Sequence, residues 1–132
     1  MLIVTSFFAS VLTAIYIKLA LNVIALRGKN QVSLGNGGVD DLEKAIRAHG
    51  NFSEYVPISL ILMGCLELNQ APWWLVGIFG LSLTIGRVLH SLGMKDLPPD
   101  FSKRILGMKL TLNTLIGLAA LNLGWEIFKF LL

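Results

Sequence analysis

Long apolar stretches alternate along the chain with short polar ones. From Leu2 to Leu26 the only full charge is Lys18, and at 1.5 Å per residue this stretch makes a helix of about 37 Å, enough for one bilayer crossing with some tilt. The next apolar run, Tyr55 to Leu68, is too short to cross alone, so its helix must begin near Asp40 and carry a charged half. A third helix is expected over 73–92, with Arg87 and His90 near one end, and a fourth over 101–130. The connections are Arg27 to Val39, the turn Asn69-Gln70-Ala71-Pro72, and Lys95 to Asp100, where Pro98-Pro99 stops one helix before the next begins. The expected fold is therefore all-α, an up-down-up-down four-helix bundle in the membrane, with residues 1–132 as one domain. No Lys or Arg precedes the first apolar run, which is also longer than a signal-peptide core, so it reads as a retained helix.

Composition narrows the class. Of 132 residues, 55% are apolar and only 14% charged, against about 25% charged in soluble domains. Cys65 is the single cysteine, so no disulfide forms within the chain. The formal charge of +3 comes with no basic, aromatic-interleaved patch, which argues against nucleic acid as a partner. Placement of the charge says more than its sum. Arg27, Lys29, Lys44, Arg47, Arg87, Lys95, Lys103, Arg104 and Lys109 fall on or near the side of the first and third connections, and Lys129 on the other. The positive-inside rule makes the first side cytoplasmic and puts both termini outside; Trp73, Trp74 and Trp125 fall where the outer interface should be. Gly35-Asn36-Gly37-Gly38 reads as a flexible turn and not a phosphate loop, since no Gly-Lys-Ser/Thr follows it.

Ionisable groups inside a span are costly, so several together mark a site or a fixed register. Arg47, Asn51 and Glu54 fall within about 60° on a helical wheel, with Tyr55 flanking them and His49 on the opposite side. Two readings fit: charges that neutralise partners on neighbouring helices, or a cradle in which Arg takes a carboxylate, Glu an ammonium and Asn a peptide group. Arg87, His90, Ser91 and Met94, at i, i+3, i+4 and i+7, form a second stripe at the same end. His90 reads equally as a ligand contact or as a histidine satisfied by its neighbours. No second histidine or cysteine stands at metal-ligand spacing, so no metal is expected. Lys18 is placed to snorkel toward the cytoplasmic headgroups. Pro57 should kink or open its helix. Cys65 reads as a small packing residue, Asn113 and Asn122 as interhelical hydrogen bonders, and Gly107, Gly117 and Gly124 as points of close approach.

The run Arg47-Ala48-His49-Gly50-Asn51-Phe52-Ser53-Glu54-Tyr55-Val56-Pro57 closely resembles the signature of the membrane-associated proteins in eicosanoid and glutathione metabolism, the MAPEG family. The likeness extends over nearly the whole chain, through the Gly-rich first loop, Arg87-Val88-Leu89-His90, and Arg104 at the start of the fourth helix, and is strongest to the small bacterial branch. It implies a homotrimer in the bacterial inner membrane, with glutathione as co-substrate between protomers at the cytoplasmic side. By position, Arg47, Asn51, Glu54 and Tyr55 would hold the peptide, His49 would assist from the adjoining interface, and Arg87 and His90 would add helix 3 contacts. Arg104, or Lys103 beside it, would stabilise the thiolate. The implied activity is that of a glutathione transferase or peroxidase acting on lipophilic electrophiles delivered through the membrane lipid, a detoxification role. Met94 stands where well-characterised members have a ligand-contacting tyrosine, and Ile105 replaces a serine of the prostaglandin-forming branch, which argues against an eicosanoid-specific synthase. The alternative is a non-catalytic binding or scaffold protein of the same fold; a transporter ranks below both, because no second polar cluster completes a path.

Overall fold

The computed structural model describes residues 1–95 and 101–131, in which four helices account for nearly all the chain: α1 (Ile3–Asn30), α2 (Asp40–Leu68), α3 (Trp73–Lys95) and α4 (Phe101–Leu131). The Pro98-Pro99 stop lies outside the described residues, as do the side chains of Lys95 and Lys129, two of the charges used to orient the bundle. Helices α1, α3 and α4 are long and apolar enough to cross a membrane. Helix α2 is not, because its first half is charged, and it runs instead between α1, α3 and α4 and touches all three.

Each connection is fixed by backbone chemistry. Helix α1 runs past Leu26 to Asn30, where Gln31 turns left-handed at φ 54°. The amide of Val32 then reaches back to Arg27 O at 3.1 Å, and that of Gln31 to Gly28 O at 3.4 Å, which satisfies carbonyls that the helix end leaves free. The glycine turn is fastened rather than loose. Arg27 Nη1 donates to Gly35 O at 3.0 Å and to Ser33 O at 3.3 Å, while the Asn36 side chain accepts from Gly38 N and donates to Glu43 at 2.9 Å. Gly35, Gly37 and Gly38 all have positive φ, the conformation that favours glycine. Helix α2 opens on Asp40, Asp41 and Glu43, acids that suit the positive end of a helix dipole. It ends at Leu68 with Gln70 left-handed and Ala71 N bonded to Leu66 O at 3.2 Å. Pro57 sits inside α2 without opening it.

The bundle is a rhomb in section. Helices α2 and α3 touch across its short diagonal and each touches both α1 and α4, whereas α1 and α4 share no contact among the described residues. The core runs through Leu12 and Leu19, Phe52, Val56 and Met63, Val76 and Leu83, and Leu118. Since lipid tails are as apolar as these side chains, close packing and polar ties do more to hold the helices together than apolar burial does. A Cβ on Gly107 would lie 2.5 Å from Gly86 O and from His90 N, so α3 and α4 meet backbone to backbone there. Elsewhere Thr114 donates to Ser82 Oγ at 2.9 Å, and Asn122 Nδ2 to Leu62 O at 3.0 Å, as expected of an interhelical asparagine. Gly117 is approached by the Phe79 ring.

Three further expectations are corrected. Asn113 is exposed rather than turned to a neighbouring helix. Gly124 has open space where a Cβ would lie. Cys65 is exposed, because it shares with Ile58, Ile61 and Leu68 a face of α2 that no helix of the same protomer covers.

Candidate functional site

The polar stripes of α2 and α3 converge where α2, α3 and α4 come together. Arg87 is only 1% exposed. Its Nη1 donates to Asn51 Oδ1 at 2.6 Å, its Nη2 lies 3.7 Å from Met108 Sδ, and its guanidinium carbon stands 5.5 Å from the centre of the Tyr55 ring. Helices α2 and α4 thus hold the α3 cation by a carbonyl oxygen, a ring face and a thioether, all of them weak or partial counterparts to a full charge. Among the described residues no carboxylate pairs with it, the single salt bridge being Lys44 with Asp41 at 3.8 Å, and its Nε has no partner. A buried guanidinium in that condition favours an anion brought close to it.

Two adjoining cavities flank this cluster. One, of about 430 Å³, is lined by Asn51, His90, Phe101, Arg104, Ile105 and Met108. The other, of about 270 Å³, is lined by Asp40, Glu43, Lys44, Arg47, Met94 and Arg104. Arg104 belongs to both, exposed at the first turn of α4, so its charge serves whatever fills either. His90 and Met94 are buried on α3, as their spacing with Arg87 requires, while Ser91 turns away and donates to Val88 O.

The remaining sequence-derived residues stand apart from the Arg87 cluster, although Arg47 reaches the second cavity from its exposed face. Arg47 and Glu54 are exposed on α2, so within one protomer the α2 stripe divides: Asn51 faces α3, and its two charged neighbours face outward. His49 lies on the α1 side, with its ring 4.8 Å from that of Tyr16 and its Nε2 buried without a hydrogen-bond partner. Lys18 is exposed and away from the cluster. Sequence reasoning passed over Met108 and Phe101. The signal was present, for Phe101, Arg104, Ile105 and Met108 recur at helical spacing on one face of α4. Tyr16 carried no comparable signal, as one aromatic in an apolar span.

Comparison with known proteins places the chain in a family. The MAPEG family profile matches residues 5–124. The chain is 35% identical over 127 residues to inner membrane protein YecN of Escherichia coli strain K12, covering 94% of this chain and 95% of that one, and it matches YecN of Escherichia coli O6:H1 strain CFT073 to the same extent.

Proposed function

This chain belongs to the MAPEG family, and from that premise we propose that it is a glutathione transferase of the bacterial inner membrane that binds glutathione at the arginine-lined end of the bundle. The observation that carries the reading is Arg87, a buried cation without a carboxylate partner among the described residues, set against Asn51 and beside a cavity that Arg104 enters. Glutathione brings two carboxylates, an ammonium, two peptide groups and a thiol. Arg87 and Arg47 suit the carboxylates, Asn51 and Tyr55 a peptide group, Glu54 the ammonium, and His90 lines the same cavity.

Arg104 is assigned the thiol. A thiol with pKa near 8.5 is about 3% ionised at pH 7, and lowering that value by two units raises the thiolate about 25-fold. A fixed guanidinium provides such a shift because it stays charged while the thiolate gains a partner. The lipophilic electrophile arrives from the bilayer; the thiolate, its proton released to solvent, forms a carbon–sulfur bond, and the electrophile's leaving group departs with the electron pair of the bond that breaks. The exposed Arg47, Glu54 and Cys65 on α2 support a second copy of the chain against that face, as in a homotrimer; His49, packed on Tyr16 of its own α1, is not part of that face. The arginine-lined end is cytoplasmic in this reading, with both termini outside.

The test is the ultraviolet absorption of the thiolate when glutathione is added to the detergent-purified protein at neutral pH. A saturable signal that Arg104→Ala abolishes supports the assignment. Glutathione binding in equilibrium dialysis without a thiolate signal reduces the protein to the alternative, a non-catalytic binding protein. No binding overturns the reading.

A further inference from the structure

Met108 meets two environments at once. Its sulfur lies 3.7 Å from Arg87 Nη2, against a buried cation that no carboxylate neutralises among the described residues. The side chain is only half-buried and lines the cavity of about 430 Å³ together with Asn51, His90 and Arg104. The other three methionines are placed differently: Met1 is 97% exposed, Met63 is fully buried in the apolar core, and Met94 is buried on α3. A thioether is a weak acceptor, so the N–H that Arg87 directs at Met108 is poorly satisfied, and Arg87 Nε has no partner at all.

One added oxygen changes that balance. A sulfoxide is polar where the thioether was apolar, and its oxygen is a strong acceptor. The flexible Met side chain lets that oxygen turn to Arg87 Nη2. At Met63 the same change puts a polar group into the apolar core, which is unfavourable. The cavity also supplies what the reaction needs. Sulfur has two lone pairs; Nη2 takes one, and the other is left to attack the outer oxygen of a hydroperoxide. The sulfur–oxygen bond forms and the oxygen–oxygen bond breaks. Its electron pair leaves on the second oxygen, which takes up the proton released from the first and departs as an alcohol or water. Sulfur is oxidised by two electrons and the hydroperoxide is reduced by two. Negative charge builds on the leaving oxygen, and Arg104 lines the same cavity with N–H groups to donate to it. The change is reversible by methionine sulfoxide reductases.

We propose that Met108 is a site of oxidation by hydroperoxides, that Arg87 holds the resulting sulfoxide, and that the modified side chain competes with glutathione for the guanidinium. The oxidation does not rest on glutathione binding; the competition does. The full chain in nanodiscs of saturated phosphatidylcholine is treated with hydrogen peroxide, and sulfoxide at each methionine is followed by mass spectrometry. Met108 should oxidise at least as fast as Met1 despite its lower exposure, and Met63 about tenfold more slowly than either, since susceptibility otherwise follows exposure. Arg104→Gln should slow Met108 several-fold and leave Met1 unchanged. Infrared difference spectra with oxygen-18 peroxide, against oxidised Met108→Leu as the reference, should place the Met108 S–O stretch below that of Met1 sulfoxide, the mark of a hydrogen-bonded oxygen. In equilibrium dialysis the oxidised protein should bind glutathione about tenfold more weakly, the loss of one charge-assisted hydrogen bond. Met108→Leu, a volume-conserving change, should keep its affinity under peroxide. Slower oxidation of Met108 than of Met1, indifference to Arg104→Gln, or an S–O stretch at the Met1 frequency would overturn the oxidation site. Oxidation without loss of glutathione affinity would overturn the competition. Absence of glutathione binding before oxidation would overturn the functional reading and the competition with it, while the sulfoxide measurements, made without glutathione, still decide the site.

Discussion

Arg87 on α3 donates to Asn51 on α2 across 2.6 Å, and the acceptor is a neutral amide oxygen. The buried charge is thus solvated by the protein but not neutralised, which is poor for stability and useful for recognition. Arg87→Met should lower stability by about 1 kcal/mol, because it leaves the Asn51 amide without its donor. Replacing both, Arg87→Met with Asn51→Leu, should restore the wild-type value or exceed it, since the pair is removed together. Both variants should lose glutathione affinity at least tenfold. Thermal unfolding in detergent together with glutathione titration separates the effects; a double variant that binds glutathione normally would show that the pair only braces the bundle.

Much of this was legible in the sequence, and the boundary has a physical origin. Helix positions follow from apolar length and from caps. The convergence of Asn51 and Arg87 follows from two polar stripes at one end of antiparallel helices. A helical wheel gives the face of a residue but not which neighbour stands there, or whether any does. Asn113 and Asn122 carry the same side chain on the same helix, yet Asn122 meets the Leu62 carbonyl and Asn113 is exposed. Gly107 and Gly124 differ in the same way, one against a backbone and the other in open space. A contact that no polar stripe announces was not legible: the Glu67 carboxylate accepts from the backbone of Val4 and Thr5, more than sixty residues earlier in the chain.

That Glu67 contact makes a prediction of its own. Its two oxygens lie 2.9 and 2.8 Å from Val4 N and Thr5 N, so the last turn of α2 supplies the cap that the first turn of α1 lacks from its own N-cap residue, Leu2. Glu67→Ala should cost about 1 kcal/mol, the usual loss for a removed cap. Hydrogen exchange should quicken at the amides of Val4 and Thr5 while those of α3 keep their protection. Unchanged exchange at the start of α1 would rule out the capping role.

The contact of Gly107 with Gly86 and His90 leaves no room for a methyl group. Gly107→Ala should destabilise the protein by about 1–3 kcal/mol, because the neighbours of the new Cβ are backbone atoms that cannot turn aside. It should also weaken ligand binding, since His90 and Arg104 face their shared cavity from either side of this contact. Gly124→Ala, with nothing within 4 Å, should change stability by less than about 0.5 kcal/mol and serves as the control. Equal unfolding temperatures for the two variants would mean that α3 and α4 do not pack this closely.

Arg104 lines both cavities but is exposed and lies at the first turn of α4, so its removal separates catalysis from binding more cleanly than that of Arg87. If it stabilises the thiolate, the interaction matters only once the thiol has lost its proton, and Arg104→Ala should lower kcat with a small change in KM for glutathione. Arg47→Ala should do the reverse, because a carboxylate contact is the same in the ground and transition states. Lys103→Ala settles which of the two adjacent cations faces sulfur, since successive helix residues point about 100° apart and cannot both do so. Steady-state kinetics against a lipophilic electrophile, run beside the thiolate titration, give the answer: equal loss of kcat and glutathione affinity in Arg104→Ala would make it a binding residue and return the thiolate to Lys103 or to a neighbouring protomer.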